Sequence, residues 1–170
     1  RWDGIRLNID QASVRRRGSI IEVAGTIDRR AGFGLDIASR AVDLRDLTLP
    51  PVGATLDGRI EVSGRVTGQP SAPTIALAAS SSDLIVNGIR FEGASGRVRW
   101  EAGTLRFDPL QLRRGDERYQ ISGEIALNGA PSLNLAADVT DGRLSTLLGL
   151  GNVRLSLPLD GTVSGLATID

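Results

Sequence analysis

The sequence predicts an all-β protein, an antiparallel meander curled into an open, taco-like groove with an apolar concave face. Three observations support this fold class. Apolar residues alternate with polar or small ones over most of the 170 residues, the turn signals between the alternating stretches are short, and a helical spacing of apolar residues occurs in one place. Short connections join antiparallel neighbours, so the strands are expected to pair in chain order.

The alternating stretches define the strands. Apolar residues at every second position give a strand one apolar face. Turn signals such as "NG" at 87–88, "EAG" at 101–103 and "RRGDE" at 113–117 separate them. In chain order the sets are Ile5/Leu7/Ile9, Ile21/Val23/Gly25/Ile27, Phe33/Leu35/Ile37, Ile60/Val62/Gly64/Val66, Ile75/Leu77/Ala79, Leu84/Val86, Ile89/Phe91, Val98/Trp100, Leu105/Phe107, Leu110/Leu112, Tyr119/Ile121/Gly123/Ile125/Leu127, Leu133/Leu135/Ala137/Val139 and a longer set over 153–169 that includes Leu157, Leu159 and Val163.

One short helix is expected within 141–149. Asp141 is placed to cap it, and Leu144, Leu147 and Leu148 share one face before glycines end it. This segment is interpreted as a brief plug between strands.

Three strands place a glycine in register with their apolar residues, at Gly25, Gly64 and Gly123. Glycine inside a strand contributes no packing and commonly marks a bend or the close approach of another group. Its recurrence predicts a crease in the apolar face, and we expect Gly123 to share that face with Ile121 and Ile125. A glycine-rich sandwich that bends at bulges is the alternative.

The chain also resembles itself at a period of roughly 100 residues. Segment 4–27 aligns with 103–125, and 33–51 aligns with 131–150. Repetition on this scale is typical of stacked, open-ended architectures. We therefore expect residues 1–170 to form a single fragment of a longer repetitive protein, about one and a half repeats with bounds at 1–66 and 67–170, whose membrane anchor lies outside it.

The composition excludes several kinds of site. All 20 basic residues are Arg, and His and Cys are absent, so no nucleophile has a conventional base and no thiolate or imidazole can bind metal. The formal net charge is zero, which argues against a nucleic-acid partner. The acidic residues Asp36, Glu61, Asp83, Glu92 and Glu124 fall on the polar parity, and the arginine runs at 15–17 and 113–114 are expected to be solvated. We expect no enzyme activity, cofactor or metal.

Residues 63–127 resemble the repeating core of the AsmA-like superfamily, most closely its TamB branch, the inner-membrane subunit of the translocation and assembly module. The matching positions are Gly68, Pro70 and Pro73, then 96–100 ("GRVRW"), 103–107 ("GTLRF") and 121–125 ("ISGEI"). The resemblance implies a periplasmic β-groove in a protein anchored to the inner membrane of a Gram-negative-type bacterium. It also implies phospholipid or another acyl-chain lipid as partner, and an outer-membrane barrel of the TamA or BamA type.

The size of the apolar face leads to three functional hypotheses. About a dozen strands would expose on the order of 2,000 Å² of apolar area, several times the usual patch on a soluble monomer. The face could carry phospholipid between membranes, the sheet could act as a scaffold that pairs with strands of outer-membrane or autotransporter proteins, or it could be a closed structural or adhesive domain. Under the first hypothesis the lipid-contacting residues are Ile21, Val23, Gly25, Ile27, Ile60, Val62, Gly64, Val66, Ile75, Leu77, Val98, Trp100, Leu105, Phe107, Ile121, Gly123, Ile125, Leu127, Leu133, Leu135, Leu157, Leu159 and Val163.

Overall fold

The computed structural model describes residues 5–46, 54–128, 132–151 and 160–169. They form one antiparallel sheet of 11 strands that is not closed, together with a single short α-helix. The strands follow one another in chain order, except that the three-residue strand β6 pairs with β5 beside β7. The predicted all-β, open antiparallel meander is confirmed.

The strands are long for an open sheet, since most have ten residues or more. A 3-10 helix at Leu44–Asp46 follows the third strand. The bounds are β1 Arg6–Arg16, β2 Ser19–Asp28, β3 Gly32–Asp43, β4 Leu56–Gln69, β5 Ala72–Val86, β6 Ile89–Phe91, β7 Gly93–Glu101, β8 Thr104–Arg114, β9 Glu117–Ala126, β10 Ser132–Arg143, α1 Leu144–Leu150 and β11 Thr162–Ile169.

Two pairs of predicted strands are single strands in the structure. Leu105/Phe107 and Leu110/Leu112 were expected to be separate, but β8 runs through both sets with a bulge opposite Gly123 and Ile121. Likewise β5 contains both 75–79 and 84–86. A bulge inserts one extra residue and shifts the apolar parity from odd to even without ending the strand. The strands that run in the same direction as β5 and β8 are β1, β3 and β10. All five carry such an irregularity.

The predicted helix exists, but it starts later than expected. Its N-cap residue is Arg143, which makes no side-chain capping hydrogen bond, and the helix ends at Leu150. Asp141 does not cap it, because it still lies in β10 with φ of 53°. The segment 153–159, where the longer C-terminal strand was predicted to begin, lies outside the described residues.

The two ends of the strands differ. We call one end the turn rim, because short turns at 29–31, 70–71 and 102–103 connect its strands. The opposite end, the capped rim, carries the 3-10 helix, β6 and α1. The buried hydrophobic residues of the described chain all lie at the capped rim, and they are Val42, Leu44, Phe91, Tyr119 and Val139.

The similarity between the two copies extends to their backbone irregularities. The bulge between Ile9 and Ala12 lies opposite Gly25 and Val23, and 98 residues later the bulge between Phe107 and Leu110 lies opposite Gly123 and Ile121. The 3-10 helix after β3 corresponds to α1 after β10, 100 residues later. The boundary between repeats at 66/67 stays a prediction.

Candidate functional site

Two rows of apolar residues cross the sheet from β1 to β10. Cα-paired residues in an antiparallel sheet project to the same side, so a chain of such pairs marks one face. Row one is Ala12, Val23, Ile37, Gly64, Leu77, Val98, Phe107, Gly123 and Leu135; row two is Ile9, Gly25, Leu35, Val66, Ile75, Trp100, Leu105, Ile125 and Leu133.

Most predicted lipid-contacting residues belong to these two rows. Ile27 lies on the same strand parity towards the turn rim, and Leu127 follows β9, where its N–H donates to the carbonyl of Gly103 at 2.9 Å. Ile21, Ile60, Val62 and Ile121 lie nearer the capped rim, and Val163 lies on β11. Leu157 and Leu159 lie outside the described residues.

The rows are not buried. Their large apolar side chains are partly exposed, and Leu133 retains 37% of its accessible surface. Within the described ranges, buried hydrophobic residues occur at the capped rim alone. The apolar rows therefore form an accessible surface across nine strands, about 38 Å in length at the usual spacing between strands.

Gly25 and Gly123 are required by the backbone. Both adopt φ of 129°, which side chains rarely tolerate. A Cβ at Gly25 would collide with the carbonyl oxygen of Gly34, and one at Gly123 with that of Asn134 on the next strand. Together with the adjacent bulges, these glycines indicate a sharp local bend, so a crease explains them better than a ligand does. Gly64 has no positive φ, although a Cβ there would meet the carbonyl oxygen of Ala76.

Helix α1 covers part of the apolar face at the capped rim. Leu147 and Leu150 pack against the cluster of Phe91, Tyr119 and Val139. The Phe91 and Tyr119 rings meet edge to face, with centroids 5.9 Å apart. The helix and β6 thus bound the exposed rows on this side.

A buried carboxylate, Glu117, lies beneath α1. It is 4% exposed and accepts hydrogen bonds from the Tyr119 hydroxyl at 2.5 Å and the Arg143 backbone N–H at 3.1 Å. Arg114 donates to the other carboxylate oxygen at 3.2 Å and to the Thr146 hydroxyl at 2.5 Å. The arginine run at 113–114 was expected to be solvated, and this holds only in part for Arg114, whose side chain is 40% exposed and links β8 to α1.

The Glu117 network changes the pKa values of its members. Burial alone would raise the pKa of Glu117, but the hydrogen bonds from Tyr119 and Arg143 outweigh it and hold that pKa below its ordinary value. Burial and the adjacent carboxylate raise the pKa of Tyr119 to about 12. The network is therefore a carboxylate with a neutral phenol over the whole physiological range.

Sequence reasoning missed Glu117 and Thr146. The parity of β9 carried a signal, because Glu117 is in register with Tyr119, Ile121 and Gly123 on the apolar face. A charged residue at such a position must be paired. Thr146, which is 1% exposed, had no comparable signal because its burial depends on where α1 docks.

The polar face carries cross-strand ion pairs. Arg65 lies 3.4 Å from Asp36, Arg106 lies 3.0 Å from Glu124, and Arg113 lies 3.2 Å from Glu92. Three shallow hollows of about 630, 460 and 660 Å³ are lined mainly by residues of this parity. Among the described residues, no group of acidic side chains could hold a metal ion.

Comparison with family models, with curated proteins and with solved structures gave no match. Within the part of the chain that the structure describes, no helix has the length and apolarity needed to span a membrane.

Proposed function

We propose that the apolar rows carry lipid acyl chains across the sheet, as part of a periplasmic, inner-membrane-anchored protein that moves phospholipid between the two membranes of a Gram-negative-type cell. The observation that carries the proposal is the continuity of row one and row two over nine strands. The resemblance of residues 63–127 to the AsmA-like superfamily supports it, and an outer-membrane barrel partner of the TamA or BamA type remains part of the proposal.

The physical basis is burial of apolar surface on both partners. Covering a methylene group is worth about 0.8 kcal/mol, so a chain lying along several strands gains a useful affinity without any directional bond. Because such contacts are non-directional, the surface selects for acyl chains rather than for one headgroup. No catalytic step is needed.

Leu77→Asp tests the proposal. Leu77 is in row one, and a carboxylate there puts a charge on the apolar surface, so we expect phospholipid co-purifying with the protein, measured by solvent extraction and mass spectrometry, to fall at least fivefold. Ala78→Asp is the matched control, since the neighbouring residue is exposed on the polar face; it should retain wild-type lipid. A folded Leu77→Asp variant with wild-type lipid content would refute lipid carriage.

A scaffold that pairs with strands of outer-membrane proteins is the second candidate. The described strands form a sheet that is not closed, and the edge of an open sheet is a template for an added strand. A closed structural or adhesive domain has less support, because the described residues supply no second layer over the apolar rows.

A further inference from the structure

The apolar cluster under α1 belongs to the same face of the sheet as the exposed rows. Leu112, Tyr119 and Val139 are Cα partners on β8, β9 and β10, so they form a further row on one side of the sheet. On β9, Tyr119 lies about 13 Å from Gly123 of row one, with Ile121 between them on the same parity. The covered cluster therefore continues the accessible apolar surface, and α1 is what covers it.

α1 covers this continuation with aliphatic side chains. Leu147 and Leu150 pack against Phe91, Tyr119 and Val139, which are at most 6% exposed. A hydrocarbon chain presents the same kind of surface as a leucine side chain, because neither makes directional bonds. The position that the two leucines occupy therefore suits an acyl chain that advances from row one towards the capped rim.

Polar contacts near its two ends hold α1 on the sheet. Arg114 of β8 donates to the Thr146 hydroxyl at 2.5 Å, and Asn87, in the turn after β5, donates to the carbonyl of Leu150 at 2.8 Å. α1 has seven residues and no side-chain N-cap. A helix of this length is not stable in isolation. Its helical structure therefore depends on docking.

The buried acid keeps partners that do not belong to α1. Glu117 accepts hydrogen bonds from Tyr119 at 2.5 Å and from Arg114 at 3.2 Å, and these three residues lie on β8 and β9. When α1 leaves the sheet, Glu117 loses the bond from the Arg143 N–H but retains these two. Undocking therefore exposes the apolar cluster without leaving an unpaired buried charge, whose cost would oppose it.

We infer that α1 is a lid on the apolar surface at the capped rim. It lifts when an acyl chain advances from row one, and the acyl chain then replaces Leu147 and Leu150 on the cluster. With α1 docked, acyl chains are confined to the two exposed rows. The inference rests on the proposed lipid carriage, because it assigns a regulatory element to that same surface.

A reversible lock on α1 tests the inference. Gly149 of α1 has no positive φ, and a Cβ there would lie 3.5 Å from Cγ1 of Ile89 on β6. A disulfide can join cysteines at two such positions, and the chain has no cysteine of its own. The double variant Ile89→Cys/Gly149→Cys is therefore expected to hold α1 on the sheet when oxidised and to free it in dithiothreitol.

The probe is stearic acid with a diazirine on its chain, photolysed with the protein in each redox state and located by mass spectrometry. In the reduced variant we expect crosslinks on rows one and two and on Phe91, Tyr119 and Val139. In the oxidised variant the crosslinks on these three residues should fall at least fivefold, while those on the rows persist. The single variants Ile89→Cys and Gly149→Cys, treated with the same oxidant, are the controls and should behave as the reduced protein.

A variant without cysteine tests the opposite change. Leu147→Ala removes part of the packing that holds α1, so crosslinks on the cluster should rise at least twofold over the wild type. Ser145→Ala, at an exposed position of the same helix, is the matched control and should leave them unchanged. Circular dichroism checks that both variants fold.

The outcomes separate the lid from lipid carriage. Equal labelling of the cluster in the oxidised and reduced states, or labelled rows with an unlabelled cluster in both states, would overturn the lid and leave lipid carriage standing. Absence of crosslinks on the rows of the wild type as well would refute lipid carriage itself, and the lid with it.

Discussion

The capped rim occurs in both copies of the repeat, and each copy uses a carboxylate and a hydroxyl. In the first copy the strand carries the hydroxyl and the helix the carboxylate, and in the second copy the two are exchanged. In the first copy the strand provides a hydroxyl, Ser19, which donates to the buried Asp46 of the 3-10 helix at 3.0 Å. In the second copy the equivalent strand position is the carboxylate of Glu117, and the helix position 100 residues after Asp46 is Thr146. Both copies therefore place a carboxylate and a hydroxyl between strand and helix.

The rest of the network differs between the copies. The second copy adds Tyr119 and a half-exposed Arg114, and it buries an aromatic pair under a full helical turn. In the first copy a largely exposed Arg17 lies 3.5 Å from Asp46. Both copies therefore place their helix at the same point of the backbone, and we expect the copy with more donors around its acid to hold that acid more strongly.

Mutation of the two equivalent strand positions, Glu117 and Ser19, should give the largest difference in stability between the copies. Glu117→Ala leaves the Tyr119 hydroxyl, the Arg143 N–H and Arg114 without their acceptor, and we expect it to lower the free energy of unfolding by about 3 kcal/mol. Ser19→Ala at the equivalent position removes a neutral donor and should cost about 1.5 kcal/mol. Urea denaturation of both variants measures the difference, and an equal or larger loss for Ser19→Ala would contradict the comparison.

Substitutions at the two crease glycines, Gly25 and Gly123, should have similar effects on stability, whereas substitutions at the two copies of the capped rim should not. Gly25→Ala and Gly123→Ala each force a side chain onto φ of 129° and against a neighbouring carbonyl oxygen. We expect each to cost about 2 kcal/mol in the same denaturation experiment, and the two values to be similar because φ and the clashing carbonyl are alike at both sites. Gly18→Ala, in a turn with open space around it, is the control and should have little effect. Strongly unequal costs would mean that the two copies are not equivalent at their bends.

The smallest expected effect is the pH dependence that the Glu117 network contributes in the second copy. The pKa of folded Glu117 lies below its ordinary value of 4.5, so its stabilisation is complete above that value and is lost as the pH falls through the folded pKa. The raised pKa of Tyr119 acts in the other direction, since its contribution is present below pH 10 and is lost as the pH rises towards about 12. Glu117→Gln should flatten the acid limb of a stability–pH curve and reduce the alkaline limb, because Tyr119 stays buried but loses the adjacent carboxylate. An unchanged curve would exclude this network as a source of either limb.

The alternation of apolar and polar residues was sufficient to predict the strands and their order, because a tight turn brings each strand beside its neighbour in the sequence. Alternation could not reveal the bulges, because the apolar parity changes in the same way whether a strand ends or gains one residue, as at Phe107 and Leu110. The position of Glu117 on the apolar parity could have been noticed. The docking of Thr146 could not, because it depends on contacts between segments that are distant in sequence.

Strand order that follows chain order has a mechanical and evolutionary consequence. Each strand is held by its sequence neighbours, so a force applied at the two ends would peel the sheet open one hairpin at a time instead of shearing many strands at once. The same arrangement lets a gene gain or lose a pair of hairpins without breaking distant contacts, because contact order stays low. The length of such a sheet can therefore be adjusted by duplication, while the crease and the capped rim are copied with each added unit.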